Sequence, residues 1–466
     1  MQQLIGLLAL VGIIYISFLD WRRAVKTVLV ISVLEGAIRK WLLPDVSDLI
    51  YFLKDIILFT VYINYSTFLI KKRKLKTKNK IINILIVLVS GWCIFQGLNP
   101  SLGSPIVGLF GLRGYIFYIP LMWIIPNLFQ SKDELYNFLR YFLLLVIPVG
   151  LLGIAQFFSP ASSPLNVYAP GEVADVATFG VTSATRVTGT FSYLSGYSVY
   201  LLFCFGLLIP LLNISQINLW RWLSIAELFL VIINAFMTGS RGVVIAIILF
   251  LVCYLMAKGL VQPTKVLRLI QKLIVPSVIV TLAAAIWFQP AIEAFWLRTT
   301  SNKDIPARIV GSFIEPFEFM QYKQIDGYGT GSTHQATPAL RRVFDLPSGE
   351  FIPTYYESEM GRVALELGPI GFILWYGLRI SLLVELWLVF CKLQRPCLQE
   401  LALAAFLIHV LQLNGQLVFH HTFSVYYWFL SSFIFLLPRL EQIENWQQYL
   451  LKQNVPTAYF PDSPYQ

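Results

Sequence analysis

The chain has 466 residues, of which 57% are hydrophobic and only 13% are charged, and its mean hydropathy is +0.68. A water-soluble protein of this size carries far more charge, so the composition indicates a polytopic membrane protein. The formal net charge of +10 does not indicate nucleic-acid binding, because the basic residues are spread through short loops between apolar runs.

Apolar runs close to 20 residues in length recur along the chain, as at residues 81–98, 242–260 and 419–437. Each run is long enough to cross about 30 Å of hydrocarbon as a helix. Counting such runs predicts an all-α membrane bundle of about 12 or 13 transmembrane helices. One apolar stretch, residues 27–43, also contains Glu35, Arg39 and Lys40. It is predicted to be either re-entrant or a tilted span with a polar mouth.

The basic residues predict the orientation of the bundle, because lysine and arginine in short loops stay on the cytoplasmic side. The densest block is residues 71–80. Placing it inside puts residues 159–196, 239–242 and 297–365 outside. We therefore expect a multi-pass protein of the plasma (inner) membrane with a large outer loop. Residues 1–440 are predicted to form one membrane domain that includes outer loop 297–365, and residues 441–466 a disordered cytoplasmic tail.

Two neighbours of opposite charge, Lys54 and Asp55, interrupt the apolar run at residues 50–70. A charged side chain within a span costs several kcal/mol unless it is paired or faces water. Adjacent residues of a helix point about 100° apart. Each is therefore expected to pair with a different helix, the alternative being that both lie at the membrane interface.

Three arginines stand at the predicted outer ends of spans. Arg113, in FGLRGYIFY, lies between glycines that would admit another backbone or a ligand, or it extends to the headgroups. Arg186 begins RVTGTFSYLSGY, which is typical of an anion-binding turn or of a solvated loop. Arg241, in TGSRG, begins a span. There its guanidinium, the free amides and the Ser240 hydroxyl suit a phosphate or pyrophosphate, the alternative being an interfacial arginine.

The chain has four histidines. His409 lies within an apolar helix and is expected to make an interhelical hydrogen bond rather than to act in catalysis. His420 and His421 stand at the outer start of the last span and are candidates to face the same cavity as the arginines. His334 follows the glycine turn GYGTG in the large loop. No pair of histidines has the spacing of a metal site, so we predict neither a metal nor a cofactor.

Five short motifs follow one another along the chain: FGLRGYIFY, RVTGTF, TGSRG, GYGTG and ESEMGRVALELGPIG. Together, and in this order, they resemble the motifs of the O-antigen ligase and Wzy-type polymerase superfamily of membrane glycosyltransferases. The resemblance covers residues 109–376. One position departs from the family pattern. The ligases carry a His-Asn pair nine residues before the glutamate of Glu-x-Gly-x-x-Gly. Here that glutamate is Glu366, and counting back nine residues gives Glu357.

The resemblance implies transfer of a glycan from a polyprenyl diphosphate, such as undecaprenyl diphosphate, to an acceptor hydroxyl at the outer face. The transfer would invert the anomeric configuration and need no metal. The acceptor would be a glycan or a lipid, and a polysaccharide-assembly complex is a further expected partner. The implied roles fall on diphosphate-binding residues Arg241, Arg186, Arg113 and Ser240, catalytic residues Glu357 and Glu359, and sugar-stacking residues Tyr328 and Tyr356.

Alternative interpretations remain open from the sequence. Both tyrosines are also typical of interfacial anchors, and both glutamates of solvated loop acids. A transporter of lipid-linked glycans would also bury charges around a cavity, but with polar residues on both halves of the pathway. Since Glu357 stands where relatives have histidine, a non-catalytic protein of polysaccharide assembly is a third hypothesis. The sequence does not distinguish a ligase from a polymerase.

Overall fold

The computed structural model describes residues 17–72, 79–170, 176–180, 183–214, 217–261, 288–301, 305–323 and 325–452, with isolated positions at 12, 15, 278 and 286. Within these ranges the regular structure is helical, and extended backbone pairs only at an isolated antiparallel bridge between Thr178 and Thr185. The predicted all-α fold is therefore confirmed.

Several of the connections between the helices contain a single 3₁₀ turn. In chain order the helices are α1 (Trp21–Ala37), α2 (Ser47–Lys72), α3 (Lys80–Gly97), α4 (Pro105–Ile116), α5 (Leu121–Ile124), α6 (Lys132–Leu143), α7 (Val146–Phe157), α8 (Leu194–Asn213), α9 (Asn218–Met237), α10 (Arg241–Val261), α11 (Gln289–Ser301), α12 (Ile305–Phe319), α13 (Thr337–Val343), α14 (Glu359–Lys392), α15 (Pro396–Leu411), α16 (His421–Ser431) and α17 (Phe433–Lys452).

Among the described residues, 8 helical stretches are long and apolar enough to cross a membrane. Such a set makes the protein a polytopic membrane helical bundle. Two of these stretches, Leu194–Asn213 and His421–Lys452, are mostly enclosed by the others and form the centre of the bundle. The predicted count of 12 or 13 spans also covered parts of the chain that the structure does not describe, including most of residues 1–16 and most of residues 262–287.

Residues 27–37 of the polar stretch lie in α1, and residues 38–43 form the turn of a hairpin between α1 and α2. Asp20 caps α1 by accepting hydrogen bonds from the amides of Arg22 and Arg23. The helix then loosens into a π turn at Ile38–Leu42, and Pro44–Val46 leads directly into α2. A π turn marks a local change of helical register. The arrangement places Glu35, Arg39 and Lys40 inside the protein.

Helix α14 is bent where it passes the large loop. Gly368 has a φ of 67° and is followed by Pro369 inside the helix. Since proline has no amide hydrogen, the carbonyl of Leu365 has no partner one turn ahead. The amide of Tyr328 donates to that carbonyl at 2.7 Å, and the amide of Gly329 donates to the Glu366 carbonyl at 3.0 Å. The bend therefore holds the glycine turn of the loop against the bundle.

The other side of the glycine turn rests on α3 and α4. Thr330 donates from its amide to the Gln96 carbonyl at 3.3 Å and from its hydroxyl to the Gly108 carbonyl at 3.1 Å. Gly331 has a φ of 84°. A side chain at Gly111 would overlap the backbone of residues 330 and 331. Small residues at this contact therefore let the loop reach the helix surface.

The last helix extends further than the sequence indicated. Residues 441–452, expected to belong to a disordered tail, form the end of α17. Glu444 of this segment pairs with Lys132 at 2.8 Å. Glu441 accepts hydrogen bonds from the amides of Gln394 and Arg395, both at 2.8 Å. These contacts attach the helix end to the start of α6 and to the loop between α14 and α15. Residues 453–466 of the predicted tail lie outside the described chain.

The contact at Gly111 predicts a strong effect of one added methyl group. Gly111→Ala should lower the stability of the protein by about 1–3 kcal/mol, because the loop backbone must move to avoid the overlap. Gly377→Ala is the matched control in α14, since a Cβ there meets nothing within 4 Å, and it should be neutral or stabilising. Thermal unfolding in detergent measures both. Equal midpoints for the two variants would contradict the close docking of the loop.

Candidate functional site

The polar side chains that the bundle encloses at one end are organised by residues 186–196, which we call the bridging segment. It runs from the loop before α8 into the first turn of that helix. The amides of Thr188 and Gly189 donate to the Gln156 side chain at 3.2 and 2.8 Å. Gly189 has a φ of 54°. The segment is thus held by α7 while its two ends contact other elements.

One end of the bridging segment meets the TGSRG corner between α9 and α10. Arg186 donates from Nε to the Thr238 carbonyl at 2.9 Å. A Cβ at Gly239, whose φ is 62°, would lie 2.9 Å from that Nε. Ser240 donates its amide to the Thr238 hydroxyl at 3.1 Å, and Arg241 is the first residue of α10. The structure therefore brings three of the predicted diphosphate-binding residues together.

A third arginine joins this group from α11. Arg298 donates from Nη1 to the Phe179 carbonyl at 3.3 Å. We call Arg186, Arg241 and Arg298 the arginine corner. Burial, and then the positive charges of Arg298 and Arg241, lower the pKa of Arg186 from 12.5 to about 10. The three guanidinium groups therefore act on one another electrostatically, and an anion bound beside them would be stabilised by hydrogen bonds and charge.

The other part of the bridging segment is attached to the α1–α2 hairpin by buried cations. Lys40 donates to the Thr188 hydroxyl at 2.7 Å and to the Gly189 carbonyl at 3.2 Å. Arg39 donates to the hydroxyl of Ser192 at 3.0 Å. The sequence marked Arg39 and Lys40 as a polar mouth. They hold the bridging segment through contacts with residues about 150 positions later in the chain. A local sequence pattern cannot predict such contacts.

Lys54 and Asp55 pair with different helices, as predicted. Lys54 forms a buried ion pair with Glu35 of α1. Asp55 pairs with Arg113 of α4 and also accepts a hydrogen bond from the Tyr118 hydroxyl. Arg113 therefore has its counter-ion on α2, whereas the residues of the arginine corner lie on other elements. Its guanidinium lies over the ring of Tyr51 at 4.5 Å.

Next to Arg113, two histidines from distant parts of the sequence stack on one another. The rings of His334 and His421 are 5.9 Å apart and nearly parallel, at 13°. His334 comes from the glycine turn and His421 begins α16. His334 accepts at Nδ1 from the Ala336 amide at 3.1 Å, so in the neutral ring Nε2 carries the hydrogen.

Burial, and then the charges of Arg362 and Arg113, lower the pKa of His334 from 6.5 to about 3. The imidazole is thus neutral at physiological pH. His409 differs, because Nδ1 contacts the Ala405 carbonyl and Nε2 the Ser431 hydroxyl, each at 2.8 Å. The predicted interhelical hydrogen bond of His409 is confirmed.

The two glutamates predicted to form a catalytic pair occupy different environments. Ser358 caps α14 by accepting from the Gly361 amide, so Glu357 precedes the helix and is exposed. Glu359 lies in the first turn, fully enclosed, and pairs with Arg379 at 3.2 Å. Its carboxylate also accepts from the Val418 amide at 3.2 Å. The helix cap therefore turns one carboxylate outward and commits the other to an internal ion pair.

The predicted sugar-stacking tyrosines lie within the loop itself. Tyr328 is only 3% exposed and packs with Phe319 and Leu365, with the Lys323 ammonium 5.1 Å from its ring centre. Tyr356 is half-buried beside this cluster. Neither ring lies at the arginine corner. The described residues contain no group of three or more His, Cys, Asp or Glu side chains able to hold a metal ion.

Comparison with known proteins found no match, since neither a family model nor a curated protein sequence is similar to this chain. The resemblance to O-antigen ligases therefore depends on the short sequence motifs alone. Arg298 lies outside those motifs, and apart from its place at the start of the polar loop no sequence pattern indicated that it would join the arginine corner. His334 and His421 were candidates whose pairing only the fold determines.

The lowered pKa of His334 predicts acid sensitivity. The unfolded chain binds a proton at this group from about pH 6.5 downward, whereas the folded protein does so only near pH 3. Stability should therefore fall as pH falls between these values. From about pH 7 to about pH 5 the loss from this group is roughly 2 kcal/mol. His334→Phe should lose correspondingly less in thermal unfolding at the two pH values. An identical loss in both proteins would refute a neutral buried His334.

Proposed function

We propose that this protein is a membrane glycosyltransferase of the ligase or polymerase type, which transfers a glycan from a polyprenyl diphosphate to an acceptor hydroxyl at the outer face of the plasma membrane. The observation that carries the proposal is the arginine corner. Arg186, Arg241 and Arg298 come from three separate elements, and the charges of Arg298 and Arg241 both act on Arg186. A diphosphate leaving group needs this kind of charge neutralisation, which guanidinium groups supply bidentately.

The surroundings of the arginine corner favour a lipid-linked diphosphate over a soluble one. The helices that supply Arg241 and Arg298 expose large apolar side chains close to these arginines, namely Ile245, Ile248, Leu249, Trp296 and Leu297. A cationic group bordered by exposed apolar helix surface matches a substrate with an anionic head and an isoprenoid chain. The chain would lie against α10 and α11 in the bilayer while the diphosphate contacts the arginines.

In the proposed reaction, the acceptor oxygen forms a bond to the anomeric carbon as the bond from that carbon to the diphosphate oxygen breaks. The diphosphate leaves with the electron pair, and the hydroxyl proton passes to a base. Glu357 is the candidate base from the resemblance, and its exposed position leaves it accessible to an acceptor. Glu359 does not serve, because Arg379 and the Val418 amide occupy its carboxylate.

A transporter of lipid-linked glycans is the second candidate, favoured by buried charge in other parts of the bundle. Arg140 pairs with Glu227 at 3.3 Å, and Lys258 pairs with Glu400 at 2.7 Å. Within the described residues, Arg140 Nε and Nη2 and Glu227 Oε1 have no hydrogen-bond partner. Such groups are also found along transport pathways. Transport would move the glycan without forming a glycosidic bond, which separates the two functions experimentally.

The proposal predicts the outcome of a transfer assay with purified protein, a polyprenyl-diphosphate-linked glycan and an acceptor glycan. Arg186→Gln and Arg241→Gln should each lower transfer by about 100-fold or more, because each removes a charge from the leaving-group site. Arg342→Gln is the matched control, since Arg342 is an exposed arginine of α13 and its loss should leave the rate unchanged.

Glu357→Gln in the same assay tests the base. A loss of about 100-fold or more in the rate of the bound complex would support general-base catalysis. Transfer by wild-type protein that is unaffected by the two arginine substitutions would refute the arginine corner as the diphosphate site. Movement of the donor across a vesicle membrane without any transfer would support the transporter.

A further inference from the structure

Beside the stacked histidines, several buried polar atoms have no hydrogen-bond partner within the described part of the chain. They are Nε2 of His334, both ring nitrogens of His421, and Nε and Nη1 of Arg113. His334 is 8% exposed and His421 4%, and the Arg113 side chain is 9% exposed. An unsatisfied buried donor or acceptor costs about 1–3 kcal/mol. A concentration of such groups on three elements indicates a place prepared for a ligand.

The walls around these atoms are aromatic. The ring of Phe110 lies 4.8 Å from His334, and the rings of Tyr51 and Tyr118 lie 5.7 and 5.9 Å from His421. Aromatic faces pack against the C–H face of a sugar ring, while fixed polar groups bind its hydroxyls. The cluster thus combines both kinds of contact that a sugar needs.

The electrostatics of this cluster differ from those of the arginine corner. The charge of Arg113 is balanced by Asp55, and that of nearby Lys54 by Glu35. His334 is uncharged at physiological pH, as shown above. An anion gains little from a site whose cations already have counter-ions. Neutral groups that both donate and accept hydrogen bonds are the better match.

We propose that His334, His421 and Arg113 bind an uncharged sugar ring, which is the acceptor glycan if the proposed transferase function holds. Nε2 of His334 donates to one hydroxyl oxygen. The neutral ring of His421 has one nitrogen to donate and one to accept, so it receives a hydrogen bond from another hydroxyl. The free guanidinium hydrogens of Arg113 donate to a further oxygen.

The position of the cluster fits an acceptor site. His420, the neighbour of His421, lies against the C-terminal end of the bridging segment, where a Cβ at Gly196 would be 3.1 Å from its ring. The N-terminal end of the same segment carries Arg186. A single stretch of backbone therefore connects the group of His334, His421 and Arg113 with the arginine corner. This stretch would fix the distance between the acceptor site and the donor site.

The test uses the full-length protein in nanodiscs with ¹⁵N-labelled histidine. Neutral methyl glycosides of glucose, galactose and N-acetylglucosamine are titrated as probes, and inorganic pyrophosphate is titrated separately. We expect at least one glycoside to shift the imidazole resonances of His334 and His421, because their nitrogens gain hydrogen bonds. His409 is the internal control, since both of its nitrogens already have partners, and its resonances should stay in place.

Substitutions extend the test and separate it from the proposed function. His421→Asn should abolish glycoside binding and leave pyrophosphate binding intact, whereas Arg186→Gln should do the reverse. If His421→Asn does not fold, the wild-type resonances still decide, with assignment from His409→Gln and His420→Gln. Absence of any shift of His334 and His421 with every glycoside would overturn the sugar site. So would displacement of these resonances by pyrophosphate alone. If the wild-type protein does not bind pyrophosphate, this result would count against the arginine corner as an anion site and not against the sugar site.

Discussion

The structure depends on the requirement that charges enclosed in a membrane bundle be paired. At the polar end this requirement is met by contacts between distant helices, as in the pairs of Lys54 with Glu35 and Glu359 with Arg379. Removing one partner of such a pair leaves an uncompensated charge in a medium of low dielectric constant. The pairs therefore fix how the helices are arranged.

Two groups of polar residues are candidates for function, and they differ in chemistry. The arginine corner brings three arginines together beside exposed apolar helices, which suits the head of an anionic lipid. The stacked histidines His334 and His421 offer neutral hydrogen-bonding groups beside aromatic rings. The bend of α14 at Gly368 positions His334, because it holds the glycine turn that precedes this residue. The bridging segment joins the clusters from the other side.

The sequence predicted what depends on composition and on local helical geometry. It predicted an all-α membrane bundle, the divergence of Lys54 and Asp55 to different helices, and the hydrogen-bonded state of His409. It did not predict the separation of Glu357 from Glu359, because that depends on where Ser358 caps the helix. It could not predict the histidine stack either, since that contact joins residues 87 positions apart along the chain, 334 and 421. Contacts of this kind depend on the packing of the whole bundle.

The central claim is that the arginine corner binds the diphosphate of a lipid-linked glycan. The most direct test is an electron cryo-microscopy structure of the protein in nanodiscs with a polyprenyl-diphosphate-linked sugar. The account predicts diphosphate oxygens within hydrogen-bonding distance of the guanidinium groups of Arg186 and Arg241, with the lipid chain along α10 and α11. A bound diphosphate located elsewhere in the bundle, for example against Arg140, would contradict it.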